Sequence, residues 1–192
     1  RTDAPVLRVE DAFLRSVLPG RSGEPPMGLV LDRTGVHFDA DRPSDLETLL
    51  ASHPLDDPAL LARARAAAAR LRYWRISKYS CWDPAMAPPR APFVVVIDQT
   101  RRDAALPPDA ARRFAEMLEA ARDEHPGRRI VIRTHPDTVA GYREGHFGDL
   151  AGSDLIHLST APIAPARLFE AAGAVYTVSS TLGFEAILAG HA

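Results

Sequence analysis

The sequence predicts an α/β fold of the doubly wound, parallel type, and three observations lead there. Residues 93–97, Phe-Val-Val-Val-Ile, form a continuous β-branched run of the kind buried on both faces of a parallel sheet. Further strand-like runs follow at 129–132, 154–158 and 174–178. Helical patterns lie between them at 107–125 and 165–172, and strands alternating with helices at this spacing build a parallel sheet with right-handed crossovers.

Taken in order, residues 27–32 and 36–39 read as two short strands around the Arg33-Thr34-Gly35 turn, a hairpin. Ser44 followed by Asp45 and Glu47 reads as an N-cap with acids in the first turn, opening a helix through Leu50. Asp57-Pro58 starts a second helix to about Arg72, with Leu60, Leu61, Ala64, Ala68 and Leu71 at helical spacing. Residues 82–92 hold four prolines without periodicity and read as a linker. The helix at 107–125 places Phe114, Met117, Leu118 and Ala121 on one stripe and stops at Pro126-Gly127. Gly173 reads as the stop of the helix at 165–172, and a last helix carries Gly183, Phe184 and Glu185.

Composition narrows the function classes. The 192 residues carry a formal net charge of −2 and 46% hydrophobic residues, ordinary for a folded chain, which excludes disorder, collagen and coiled coil. Cys81 is the single cysteine, so an internal disulfide and a cysteine-based zinc site are excluded together, and a reducing compartment fits. No apolar stretch approaches the roughly 20 residues that span a bilayer, which leaves peripheral association as the route to a membrane. Near-neutrality, with Lys78 the only lysine, argues against a nucleic-acid binder. Arg1 in place of Met and an apolar run ending in Ala192 read as an excised piece of something longer.

In doubly wound sheets, ligands sit beyond the carboxyl ends of the strands. Those ends here are Asp98-Gln99-Thr100, Arg133-Thr134-His135-Pro136 and Ser179-Ser180-Thr181. Serines and a threonine at a helix N-terminus suit an anion, while the alternative is that Ser180 or Thr181 merely caps the helix. His135 beside Arg133 could bind and protonate a departing phosphate, whereas His53-Pro54 and His125-Pro126 read as helix terminators. Asp98 closes an apolar strand, either as a functional carboxylate or as a turn former. Glu10 and Asp11 point to opposite faces of an extended segment, so one is free for chemistry while the other holds structure through Arg15. Asp39 and Asp41 form an Asp-x-Asp pattern read as turn chemistry, and no metal site is expected. Tyr73, Trp74, Tyr79 and Trp82 with Arg75 and Lys78 read as cover for the join between two halves, or as a membrane- or acceptor-side patch.

Six separated blocks resemble, in order and spacing, the KpsC-like capsule polysaccharide biosynthesis proteins. They are the run Arg8 to Ser16, residues 25–39, residues 42–47, Asp98-Gln99-Thr100, residues 133–137 and residues 175–185. The resemblance implies a pair of Rossmann-like parallel-sheet domains of GT-B type, here truncated: a partial acceptor-side domain at 1–91, linker included, and a partial CMP-binding domain at 92–192. It implies a metal-independent, cofactor-free retaining β-Kdo transferase that moves Kdo from CMP-β-Kdo to a phosphatidylglycerol-type glycolipid bearing an oligo-Kdo linker, in Gram-negative bacteria, beside the capsule export machinery.

The resemblance also implies site roles. Asp98 would be the nucleophile, Glu10 the base, and His135 the group favouring phosphate departure. Ser179, Ser180 and Thr181 would hold the CMP phosphate and Glu185 the ribose hydroxyls, while Asp11, Arg15, Gln99, Arg133 and Pro136 complete the substrate-binding set. Two positions depart from the family pattern: Ala12 replaces a glycine after the acidic pair, and Arg133 replaces a lysine. The Asp-Gln-Thr block is similar to the first of the two transferase modules that longer relatives carry. The expected location is cytoplasmic, peripheral at the inner membrane. Two other readings are a nucleotide-sugar-binding module with impaired catalysis, and a transferase using another activated sugar such as CMP-sialic acid.

Overall fold

A computed structural model of the chain describes residues 4–39, 41–148, 150 and 154–191. Arg1 and Ala192, on which the reading of an excised piece rests, lie outside the described residues. The elements run in the order β1 (Arg8–Asp11), β2 (Leu29–Asp32), α1 (Asp45–Ser52), α2 (Pro58–Trp74), β3 (Phe93–Ile97), α3 (Ala110–Glu124), β4 (Arg129–Arg133), α4 (Pro136–Val139), β5 (Ile156–Ser159), α5 (Pro165–Ala171), β6 (Ala172–Tyr176) and α6 (Thr181–Leu188).

The expected α/β sheet is present from Phe93 onward: four parallel strands in the order β5-β4-β3-β6. Every residue of β3 is buried, because alternate side chains serve two layers. Val94 and Val96 pack with Phe114 and Leu118 of α3, whereas Phe93, Val95 and Ile97 pack with Leu168 and Phe169 of α5 and Ala186 of α6. After β3, the chain adds β4 and β5 on one side and then returns to place β6 on the other. Strand order therefore reverses at β3, and the crevice between the carboxyl ends of β3 and β6 is where such sheets bind ligands.

The N-terminal part differs from the expected hairpin. β2 forms as read, but it pairs antiparallel with β1, in the register Arg8↔Asp32 to Asp11↔Leu29, and residues 36–39 are not a strand. The reason is Asp32, whose carboxylate accepts from Thr34 N and Gly35 N, both at 2.8 Å, and from Asp45 N at 2.7 Å. These bonds turn the chain toward α1 instead of back along β2. Gly35 is needed there, since a Cβ would sit 2.3 Å from the Pro43 carbonyl oxygen. Among the described residues before Phe93 the only sheet is this two-stranded ribbon, so the parallel sheet belongs to the second part alone.

The helices follow the local signals. Ser44 and Glu47 form a reciprocal capping box on α1, with Glu47 N donating to Ser44 Oγ at 3.1 Å and Ser44 N to Glu47 Oε2 at 2.8 Å. Asp57 caps α2, which ends at Arg75 in the left-handed region. The proline-rich stretch 82–92 has no helix or strand, yet it is held down: Asp83 N donates to Pro162 O at 2.7 Å, and Arg167 donates to the carbonyls of Pro84 and Met86. Gly173 does not stop α5 as expected. The chain turns extended at Ala172 to pair with Phe93, and Gly173 lies within β6.

Candidate active site

Asp98 and Gln99 leave β3 at the reversal point, Arg133 and His135 leave β4, and Ser179, Ser180 and Thr181 lead from β6 into α6. All seven line one cleft of about 670 Å³, together with Pro136 and, from the N-terminal ribbon, Glu10 and Asp11. The cleft thus joins both parts of the chain across the strand ends.

Asp98 is 4% exposed. Burial raises its pKa from the usual carboxylate value, and backbone N–H groups of His146, Gln99 and Phe147 and the positive charge of Arg101 oppose that rise. His146 N and Gln99 N each donate to Asp98 Oδ1 at 2.9 Å. Gln99 latches two strand ends together: Ser179 N donates to its Oε1 at 3.1 Å, and its Nε2 donates to Ser179 Oγ at 3.2 Å. Ser180 caps α6 by accepting from Leu182 N at 3.3 Å, so the plain-cap reading holds for its side chain. Thr181, Leu182 and Phe184 of the first turn of α6 still line the cleft, at the positive end of the helix dipole.

His135 Nδ1 accepts from Asp137 N at 3.1 Å, capping α4. A nitrogen that accepts from an N–H is unprotonated, so the ring proton of neutral His135 sits on Nε2, as a donor. Burial lowers the His135 pKa, which favours that neutral form. Arg133 donates to Ala161 O at 2.5 Å, and burial lowers its pKa as well.

Two expected binding residues stand away from the cleft. Arg15 is 9% exposed and pairs with Asp11, while its Nη1 donates to Ser16 Oγ and Glu24 O, both at 2.9 Å. It braces the loop behind the ribbon and does not line the cleft. Glu185 Oε1 accepts from Ser77 Oγ at 3.0 Å and Lys78 N at 2.8 Å, which makes it a tie between α6 and the N-terminal part, and it too is absent from the cleft wall. Asp11 lines the cleft but is held by Arg15, whereas the Glu10 carboxylate has no partner among the described residues. Ala12 shows no positive φ, so the replacement of a glycine there strains nothing. Asp41 N donates to Asp39 Oδ1 at 3.0 Å, a bond that ties the two acids locally.

Reading the residues missed part of the wall. Phe13, His37 and Phe38 line it, as do Lys78, Tyr79 and Trp82. The aromatic cluster was the available signal, but it divides: Tyr79 and Trp82 enter the cleft wall, whereas Tyr73 and Trp74 stand 77% and 64% exposed at the end of α2. His37 Nδ1 and Trp82 Nε1 are buried without a hydrogen-bond partner among the described residues, an arrangement a polar ligand would satisfy.

Comparison with known proteins gives this cleft a family. The capsule polysaccharide biosynthesis protein family matches residues 1–80 and 59–192, which together span the chain. The chain belongs to the capsule polysaccharide biosynthesis family. The KpsC-like resemblance carried by the six blocks is borne out by the solved structures. The chain superposes on Thermosulfurimonas dismutans KpsC, beta Kdo 2,4 transferase, with a TM-score of 0.85 and 34% identity, covering 97% of this chain and 60% of that one. It superposes on the beta Kdo 2,7 transferase of the same organism with a TM-score of 0.62 and 27% identity, covering 97% and 55%. Capsule polysaccharide modification protein LipA of Neisseria meningitidis serogroup A is 36% identical over 194 residues, 97% of this chain and 28% of that protein. Lipopolysaccharide-processing protein LpsZ of Rhizobium meliloti is 30% identical over 195 residues, 98% of this chain and 44% of that protein. This family member therefore spans less than half the length of the curated relatives it matches.

Proposed function

We propose that the chain carries the reaction centre of a retaining glycosyltransferase that moves Kdo from CMP-β-Kdo to a glycolipid acceptor in capsule polysaccharide biosynthesis. The observation that carries this reading is the convergence of Asp98, Glu10, His135 and the N-terminus of α6 on one cleft at the strand-order reversal. In the first step, Asp98 attacks the anomeric carbon of Kdo, and the bond from that carbon to the phosphate oxygen breaks with its electron pair leaving on CMP. His135 Nε2–H and the positive dipole end of α6 stabilise the departing phosphate. In the second step, Glu10 takes the proton of the acceptor hydroxyl, whose oxygen attacks the anomeric carbon and releases Asp98. Two inversions give net retention.

Residues 92–192 serve as the nucleotide side and residues 1–91 as the acceptor side. The higher TM-score against the 2,4 transferase than against the 2,7 transferase favours the 2,4 linkage. The acceptor is an oligo-Kdo linker on a phosphatidylglycerol-type lipid, delivered to the capsule export machinery at the cytoplasmic face of the inner membrane. No helix among the described residues is long and apolar enough to cross a membrane.

The test is release of CMP from CMP-Kdo in the presence of a Kdo-terminated acceptor, with mass spectrometry of the peptide holding Asp98. Asp98→Asn is expected to stop release and to carry no sugar, whereas the wild-type peptide gains one Kdo when acceptor is withheld. Full activity in Asp98→Asn would overturn the assignment.

A further inference from the structure

We propose that residues 143–147 form a strap that positions the Asp98 carboxylate, and that Gly145 is its positioning residue because the absence of a side chain there sets where Asp98 Oδ2 lies. The proposal rests on the reading of Asp98 as the attacking group and adds a residue that motif reading did not single out.

The strap is anchored at both ends. On one side Gly145 bridges to Thr100, Arg101 N donates to Glu144 O at 2.8 Å, and Arg143 Nη1 donates to Thr100 Oγ1 at 3.2 Å. On the other, the His146 ring stacks on Phe114 with centroids 3.9 Å apart, and Phe147, 4% exposed, meets Phe114 edge-on at 5.7 Å. Because Phe114 belongs to the core face of α3, moving the strap means disturbing close-packed interior.

Between these anchors the strap meets Asp98 at Gly145 and at the backbone N–H groups of His146 and Phe147. His146 N donates to Oδ1, and the Cα of Gly145 lies against the other oxygen so closely that a Cβ would sit 2.2 Å from Oδ2 and 3.1 Å from Cγ. Gly145 has no left-handed φ, so space and not backbone conformation calls for glycine. Any side chain must rotate the carboxylate or lift the strap, and either movement separates Oδ1 from its donor. A nucleophile attacks productively only with its oxygen aimed along the line of the breaking bond, and the strap removes the rotation about χ2 that would spoil that aim.

The experiment uses Gly145→Ala alone and in an Asp98→Ala background, with Asp98→Asn as the control for the nucleophile. Gly145→Ala is expected to cut CMP release at saturating CMP-Kdo by ~100-fold while changing the Kd for CMP by less than about twofold, because Ser179 to Thr181 are untouched. Unfolding midpoints supply a readout independent of turnover. The added methyl is expected to lower the midpoint in the wild-type background and much less in Asp98→Ala, where the carboxylate it strikes is gone. Wild-type turnover in Gly145→Ala alongside an inactive Asp98→Asn would overturn the strap and leave the nucleophile standing. An active Asp98→Asn would overturn the nucleophile whatever Gly145 does. An equal midpoint loss in both backgrounds would show that Gly145 does not act through Asp98.

Discussion

Replacing Glu185 measures how firmly the two parts of the chain are joined. Its Oε1 accepts from Ser77 Oγ at 3.0 Å and Lys78 N at 2.8 Å, and the Lys78 carbonyl accepts in turn from Arg15 N and Ser16 N. Glu185→Ala leaves a backbone N–H and a hydroxyl without a charged acceptor. At about 1.5–3 kcal/mol for a hydrogen bond to a charged group, less what water recovers, the loss is about 3 kcal/mol. For a chain of this size that corresponds to a fall of roughly 6–12 °C in the unfolding midpoint. Glu185→Gln keeps an acceptor oxygen and is expected to cost about 1 kcal/mol at neutral pH.

The pH dependence has a definite sign. Burial raises the Glu185 pKa above its usual 4.5, against the opposing pull of Lys78 N, Ser77 and the Lys78 charge. The folded state therefore holds this proton more tightly than the unfolded state. Wild-type stability should fall as pH rises from about 4.5 through the raised value, and Glu185→Gln should lack that component of the fall. Thermal unfolding followed by circular dichroism at pH 4 to 8, for the wild type and both variants, reads both effects. A Glu185→Ala midpoint within about 1 °C of the wild type, or identical pH slopes for wild type and Glu185→Gln, would refute the reasoning.

Two further outcomes are expected. Arg15→Ala removes the partner of Asp11 and the donor to Ser16 Oγ and Glu24 O, and should cost roughly 3 kcal/mol in urea unfolding; an unchanged midpoint would mean that the brace is dispensable. Gln99→Ala cuts both bonds to Ser179, and should weaken CMP binding by roughly tenfold, about 1.4 kcal/mol. Calorimetric titration with CMP checks it, and unaltered affinity would show that the latch does not shape the nucleotide side.

Local chemistry made much of the fold readable. The β-branched run at β3, the Ser44 capping box and the Asp57-Pro58 start each act over a few neighbouring residues, and each forms where the sequence places it. The hairpin at 27–39 misled because alternation says only that β2 is extended; its partner β1 pairs with it across 18 residues of chain at Asp11↔Leu29 and 24 at Arg8↔Asp32, outside any local window. Gly173 misled because a glycine after a helix resembles a stop, whereas pairing with the central strand β3 overrode it.

For the site, the rule about strand ends was enough to collect Asp98, Gln99, Arg133, His135 and the Ser179 to Thr181 run, since a parallel sheet brings its carboxyl ends to one edge. What a residue type cannot state is which partner claims it. Glu185 and Arg15 carry the right charge for ligands, but tertiary contacts spend their polar atoms on Ser77, Lys78, Asp11 and Glu24. Glu10 and Asp11 are alike in type, and only the placement of Arg15 leaves one paired and the other without a partner among the described residues.

By itself, then, the sequence determined the α/β class, most element positions and the edge of the sheet where chemistry gathers, because periodicity and capping are short-range properties. Only the tertiary structure decided which carboxylates stand unpaired, which aromatics enter the cleft, and that Gly145 lies against Asp98. Those are matters of distance between residues far apart in the chain. Gly145 is 47 residues from Asp98, and the 2.2 Å that a Cβ would leave between them has no counterpart in the order of the letters.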